Sequence, residues 1–287
     1  MSAASNQPVI SIGLCRLFSR VAMFNIPMFS LAQRRADDRG LHAFYEPNSK
    51  AYTCIESALD IALKILEQGR SKEALADIAL QFDDSTSNSA RFGGDKTKAR
   101  RWTGWFVDQL RLQTPRMILD ETLGRQDVMA YHPREPWDGN LETFPFHQQS
   151  IYLNAQRAES MFAARTSISP EAGQQYRDHL FAFVTTIVHE LGNILITWLG
   201  QGRIDTPGGR SLEMRLFGGV TEFWRDHNRG DDQVGEPYHI DENGWAWRIS
   251  PNVIDEVYTY NFNFPFARTN ETPVNPDGKQ TMNSRAT

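Results

Sequence analysis

Five consecutive residues, His189-Glu190-Leu191-Gly192-Asn193, combine side chains that can bind a metal ion and activate water. Side chains four positions apart lie on the same face of an α-helix, so His189 and Asn193 could approach one ion. Glu190 lies one step round the helix, where its carboxylate could accept a proton from a metal-bound water without binding the ion itself. The segment therefore predicts a helical metal site that carries its own general base.

A third ligand would have to come from elsewhere in the chain, and Glu213 is the candidate. Nineteen residues separate it from Asn193. They include the turn-forming segment Asp205-Thr206-Pro207-Gly208-Gly209, so a helix, a turn and an antiparallel return could set the carboxylate beside His189. We expect a carboxylate oxygen of Glu213 within about 5 Å of an imidazole nitrogen of His189, close enough for both to reach one ion.

These residues resemble a known family. HELGN followed by this glutamate is similar to the HExxH-x19-E pattern of the gluzincins, the thermolysin-like branch of the zincin metallopeptidases, with Asn193 where the second histidine would be. The resemblance covers about residues 150–219, and the stretch RSLEMRLFGG within it also resembles uncharacterised fungal proteins of zincin-like type. The metzincin branch does not fit, because Leu199 stands where that branch has its third histidine.

The resemblance implies a role for each matched residue. His189, Asn193 and Glu213 would hold zinc or another divalent ion, and Glu190 would activate water. The residues implied to line the substrate belong to a strand-like segment before the helix: Ile151, Tyr152, Leu153 and Asn154. The implied function is a metal-dependent hydrolase of metallopeptidase type, acting on a peptide or a small molecule.

Asn193 leaves alternatives open. Its neutral amide oxygen suits hard ions better than zinc, so zinc affinity should fall. The chain could then be a catalytically degenerate zincin that binds a ligand without hydrolysis, or a biosynthetic enzyme that reuses the cleft for cyclisation or isomerisation. In the purely structural interpretation, His189 and Glu190 are a hydrogen-bonded core pair and Glu213 is a first-turn acid favoured by the helix dipole.

Other histidines could replace the missing nitrogen ligand. His179 lies ten residues before His189 and therefore points to another face of the helix. His147, His227 and His239 lie on other segments. We predict that all four are surface or turn histidines.

The elements that position the site follow from hydrophobic periodicity. Residues 170–200 carry apolar side chains around most of the helix circumference, which predicts one long buried helix. Gly192 in its interior costs roughly 1 kcal/mol relative to alanine, so another group is expected to approach the backbone there. Ser211 can cap a short helix that ends at Gly218-Gly219. The other predicted elements are helices over about residues 50–68 (with Gly69 as C-cap residue), 71–82 and 97–112, a strand at 150–154, a surface loop over 83–95, an irregular connection over 133–145 and a hairpin turn at 241–244.

Together these elements predict an α+β, mainly helical, zincin-like domain with a small sheet and a long buried active-site helix. It would span residues 37–267, with a helical half to about residue 145 and a site-bearing half over 146–267. Residues 1–36 contain no acid and four arginines, as mitochondrial targeting segments do, although VISIGL within them also reads as a strand. The default compartment is the cytoplasm. Residues 268–287 are polar and predicted to be a disordered tail.

Composition limits the partners. The formal net charge of -5 lacks the basic field that nucleic acids require, and no apolar run suits a membrane span. Cys15 and Cys54 are too few for a disulfide scaffold and are interpreted as free buried thiols, with a single bridge between them as the alternative. The segment Arg91-Phe92-Gly93-Gly94-Asp95 is interpreted as a turn rather than a phosphate cradle. One basic cluster is interpreted as a solvated helix face: Lys96, Lys98, Arg100 and Arg101. The oligomeric state is left open.

Overall fold

The structure is a computed structural model, and it describes residues 29–37, 40–85, 91–126, 128–202, 206–224 and 233–274. Within these ranges the chain forms seven α-helices and eight β-strands. The helices are α1 (Lys50–Glu67), α2 (Gly69–Ser85), α3 (Lys96–Leu112), α4 (Ala155–Thr166), α5 (Pro170–Gly200), α6 (Gly208–Leu216) and α7 (Pro251–Tyr258). The strands are β1 (Leu31–Arg34), β2 (Leu41–Phe44), β3 (Arg116–Asp120), β4 (Ala130–Tyr131), β5 (Ser150–Asn154), β6 (Val220–Trp224), β7 (Glu236–Ile240) and β8 (Ala246–Arg248). The α+β, mainly helical class is confirmed.

Five strands form a mixed sheet in the order β2-β1-β3-β5-β4. The three central strands are parallel, while β2 and β4 run antiparallel at the two edges. The centre of β3, residues 117–119, is apolar and buried, as expected for a strand that is covered on both faces. Strands β6, β7 and β8 form a separate antiparallel sheet, and the turn between β7 and β8 is the hairpin predicted at residues 241–244.

Helix α5 runs through the interior of the protein. Its start is fixed by Ser169, whose side chain accepts a hydrogen bond from the backbone N–H of Ala172, and by Pro170 at the first helical position. Every residue from His179 to Leu199 is buried, because apolar side chains surround the axis on all sides. By length and composition alone α5 could cross a membrane, but its most apolar window is entirely buried within the protein. The described residues therefore contain no clear membrane span.

Helices α5 and α6 approach each other through glycines. A Cβ atom on Gly192 would lie 3.0 Å from the Cα atom of Gly209 and 3.1 Å from the backbone oxygen of Gly208. A Cβ atom on Gly209 would lie 2.5 Å from the backbone oxygen of His189. Larger residues would keep the two backbones apart, so the close approach expected at Gly192 is confirmed. It sets the start of α6 against the turn of α5 that carries the HELGN segment.

Several element boundaries differ from the predicted ones. Gly69 begins α2 and does not cap α1, whose C-cap is Gln68. Helix α2 continues to Ser85, inside the predicted loop. Helix α6 begins at Gly208 rather than after Ser211, because the two glycines that were interpreted as a turn form its first residues.

The two predicted halves share one sheet, since β5 of the second half lies between β3 and β4 of the first. Strand β1 belongs to the same sheet and precedes the predicted start at residue 37. Residues 268–274 are not a disordered tail: isolated bridges pair Arg268 with Ile249 and Val274 with Ala246. The VISIGL segment and residues 275–287 lie outside the described residues.

Candidate functional site

His189 and Glu213 meet directly. The Nδ1 atom of the imidazole lies 3.0 Å from Oε2 of the carboxylate, so the expected proximity is confirmed. Glu213 is fully buried and is the sixth residue of α6, beyond the first turn where the helix dipole would favour an acid. The structural interpretation of Glu213 as a first-turn acid is therefore wrong. The nineteen-residue spacing reflects a real contact between two helices.

Both the nitrogen and the oxygen of the Asn193 side-chain amide form hydrogen bonds within the protein. Its Nδ2 atom donates to Oε2 of Glu190 at 3.0 Å. Its Oδ1 atom accepts from the backbone N–H of Gly209 at 3.0 Å and from Nη2 of Arg134 at 3.1 Å. An amide oxygen has two lone pairs, and here two donors already occupy them. Asn193 thus links α5 to the first turn of α6 and to the segment before the sheet's β5 strand.

Glu190 points to Asn193 rather than to His189, so the interpretation of the two as a hydrogen-bonded core pair is wrong. The residue is fully buried. Its second oxygen, Oε1, has no hydrogen-bond partner among the described residues. A general base needs such an accepting oxygen, but a substrate could reach this one only after movement of its surroundings. His189 and Asn193 are buried as well, with 4% and 5% of their areas exposed.

A buried histidine that the sequence did not indicate lies next to this site. His132 follows β4, and its Nδ1 atom lies 2.9 Å from the backbone oxygen of Ser150. A carbonyl oxygen can only accept, so Nδ1 carries the proton. Nε2 of the neutral ring lies 3.0 Å from the hydroxyl of Thr197, which also contacts the backbone oxygen of Asn193 at 3.2 Å. Burial, together with the nearby charge of Arg134, outweighs the Ser150 contact and lowers the pKa of His132 to about 4.

No sequence signal connects His132 with α5, because sixty-five residues separate it from Thr197. Among the other histidines, the prediction of surface or turn positions is wrong for His179 and His239, which are both buried. His239 lies on β7, where its ring is stacked parallel to that of Phe266. His147 is exposed as predicted, and His227 lies outside the described residues.

The segment implied to line a substrate, Ile151–Asn154, forms most of β5. This strand pairs with β3 on one side, while its other side pairs with β4 at Tyr152 and Leu153. Asn154 caps α4 by accepting from the backbone N–H of Arg157, and its Nδ2 donates to the oxygen of Val128. A peptide could not add to β5 without displacing β4. The substrate-lining role stays a prediction, with Tyr152 as the partly exposed member of the four.

Zinc is the ion that the family resemblance implies, and these side chains do not offer it a complete site. Among the described residues, no group of three His, Cys, Asp or Glu side chains could hold a metal ion. Asn193 would have to supply the third ligand, but its oxygen accepts two N–H donors, one of them from a cationic guanidinium. As arranged, the oxygen of Asn193 links α5 to the start of α6 and to Arg134.

Comparisons of the chain with protein-family models, with curated proteins and with solved structures found no match. The likeness to gluzincins therefore rests on the residues and spacing described above.

Proposed function

We propose that this chain is a catalytically degenerate zincin-like protein, which keeps the histidine helix and its glutamate partner but binds a peptide or small molecule without metal-dependent hydrolysis. The observation that supports this most directly is the double hydrogen bond to Oδ1 of Asn193 from Gly209 and Arg134. The residue that replaces the second histidine ligand is thereby committed to contacts within the protein.

Charge supports the same proposal. A divalent ion bound to Oδ1 of Asn193 would have to displace the guanidinium of Arg134 or remain a few ångströms from it. At about 4 Å two unit positive charges repel each other by about 4 kcal/mol near a protein surface, and a divalent ion doubles this. The ring of His189 and the buried carboxylates of Glu213 and Glu190 would have to offset that repulsion. The guanidinium of Arg134 and the two hydrogen bonds to the Asn193 oxygen favour a metal-free site.

The competing candidate is a metal-dependent hydrolase of metallopeptidase type. Two observations favour it. His189 lies close to Glu213, and one carboxylate oxygen of Glu190 has no hydrogen-bond partner in the described part of the chain. For that candidate Arg134 would have to leave Asn193 before an ion could bind.

Zinc occupancy separates the two candidates. We expect wild-type protein, loaded with one equivalent of zinc and dialysed, to retain far less than one zinc per chain by plasma mass spectrometry. Asn193→His should retain more, because it supplies a nitrogen ligand and removes the oxygen that holds Arg134. The matched control is Asn193→His combined with His189→Ala, which should return to the wild-type level. Full occupancy in wild-type protein that is lost in His189→Ala would contradict the proposal.

Peptide hydrolysis gives an independent test. We expect no turnover of quenched fluorescent peptides above the level of Glu190→Gln, since that change removes a base while keeping the hydrogen-bonding shape of the side chain. Circular dichroism should show that the variant remains folded. Wild-type turnover that Glu190→Gln abolishes would establish the hydrolase instead.

A further inference from the structure

A second site lies at the far end of α5. A cavity of about 490 Å³ opens between the first turns of α3 and the turn at residues 139–142, beside Gln201 at the end of α5. Gln201 follows His189 by twelve residues, roughly 18 Å along the helix axis, so the cavity is separate from the HELGN site. Its volume is within the range of about 300–1,000 Å³ that is typical of small-molecule sites.

Two cationic side chains line the cavity, Arg91 and Lys98. Glu142 is the one carboxylate among its lining residues, and the carboxylate of Asp83 lies close enough to Arg91 to interact with its charge. The Nη1 atom of Arg91 is buried and has no hydrogen-bond partner among the described residues. Burial lowers the pKa of Arg91 against the opposing effect of the Asp83 carboxylate. Arg91 is half-buried, and an anion bound in the cavity would lie near two cationic side chains, an arrangement that charge-assisted hydrogen bonds favour.

The loop that carries Arg91 is held in place independently of the arginine side chain. The carboxylate of Asp83 accepts from the backbone N–H groups of Arg91 and Phe92 at 2.6 and 2.8 Å. The Nζ atom of Lys98 donates to the backbone oxygen of Arg91. These contacts fix the main chain at Arg91 and bring the ammonium group of Lys98 to it.

Aromatic side chains form the apolar part of the wall. Trp102 lines the cavity and is packed against Trp105 and Trp198, with ring centroids 5.9 and 6.3 Å away. Phe92 lines it as well and is almost completely buried. A ring supported in this way is a rigid face against which a flat ligand can stack with little loss of side-chain entropy.

We propose that this cavity binds a small organic anion with a flat apolar body, whose anionic group contacts Arg91 and Lys98 and whose body packs against Trp102. The site is independent of the proposed function of the HELGN segment. The sequence indicated only a solvated helix face at Lys98 and a turn at residues 91–95. The proposal adds a binding role to both. Neither residue type nor spacing indicated a cavity there.

The probes are 2-naphthoate, 2-naphthyl phosphate, the neutral 2-naphthylmethanol and inorganic phosphate, each titrated calorimetrically into the full chain at low ionic strength. We expect one or both naphthyl anions to bind at one site per chain, and the neutral analogue to bind at least about tenfold more weakly. Inorganic phosphate, which lacks the apolar body, should also be at least about tenfold weaker. The carboxylate and the phosphate ester distinguish between the two sources of negative charge.

Variants locate the site. Arg91→Gln should weaken anion binding about tenfold or more, and Glu142→Gln should strengthen it because a repelling carboxylate is removed. The matched control is Arg101→Gln, which removes the same charge from an exposed position of α3 that does not line the cavity. It should change the affinity less than about twofold.

Three results would overturn the proposal: no naphthyl anion binds at millimolar concentration, the neutral analogue binds as tightly as the anions, or Arg101→Gln weakens binding as much as Arg91→Gln. The first two use wild-type protein, so they decide the question even if a variant fails to fold.

Discussion

The HELGN site and the α3 cavity differ in how many of their polar groups already form hydrogen bonds within the protein. At the HELGN site the amide of Asn193 makes three hydrogen bonds, and His189 is in contact with a buried carboxylate. The α3 cavity is lined by Arg91 and Lys98, and Nη1 of Arg91 has no hydrogen-bond partner in the part of the chain that the structure describes. The first region has the residue types of a catalytic site, and the second has the space for a ligand.

This difference teaches that a motif and a binding site are separate properties. Spacing along a helix can predict which side chains come together, because helix geometry fixes it. Open volume depends on how distant segments pack, and in the α3 cavity these are α3, the end of α5 and the turn at residues 139–142. Experiments can therefore measure how tightly the HELGN region is packed and how open the α3 cavity is to a ligand.

The largest effect is expected from adding one methyl group at the α5–α6 contact. Gly209→Ala would bring a Cβ atom to 2.5 Å from the backbone oxygen of His189, well inside normal contact distance. The clash is with helix backbone, which cannot rotate away, so we expect a loss of about 3 kcal/mol or more in the free energy of unfolding. Urea unfolding followed by circular dichroism measures it.

The matched control is Gly104→Ala, in the middle of α3. A Cβ atom there would meet no atom within 4 Å. Alanine should stabilise the protein by about 0.5–1 kcal/mol, because it restricts the unfolded chain and favours the helix. If Gly209→Ala were equally harmless, the two helices would not be packed as closely as their glycines indicate.

Much of the fold could be predicted from the sequence because its main elements carry local signals. The apolar circumference of residues 170–200, the strand at residues 150–154 and the hairpin at residues 241–244 all lie where periodicity and turn chemistry place them. The sequence did not predict five strands and two helices: β1, β2, β3, β4, β6, α4 and α7. Strands β1, β2 and β4, with two to four residues each, are too short for an alternating pattern, and long-range pairing creates them.

At the site, the spacing of the resembled family predicted that Glu213 lies beside His189. It did not predict that Arg134 and Gly209 would occupy the oxygen of Asn193, since both contacts arise where separate segments pack. His132 shows the same limit. Its partners, Ser150 and Thr197, are eighteen and sixty-five residues away, and nothing in the local sequence distinguishes it from a surface histidine.

The closed region around His132 should resist protonation of its imidazole ring. The pKa of His132 is lowered from 6.5 to about 4, chiefly by burial. Above about pH 6.5 the ring is neutral in both the folded and the unfolded chain. As the pH falls from 6.5 towards 4, the imidazole of His132 binds a proton in the unfolded chain but not in the folded protein. The free energy of unfolding therefore decreases across this pH range, and the decrease levels off below it.

A shift of this size corresponds to a loss of roughly 3 kcal/mol at its limit, slightly less than the effect expected for Gly209→Ala. His132→Gln has no titrating ring, so its free energy of unfolding should fall less between pH 7.5 and pH 4.5 than that of wild-type protein. Urea titrations at several pH values give the difference, and NMR of the imidazole ring should show it still neutral at pH 5. If both proteins lose stability in parallel, or the ring protonates near pH 6.5, water reaches His132 and the region beside the HELGN site is more open than its contacts indicate.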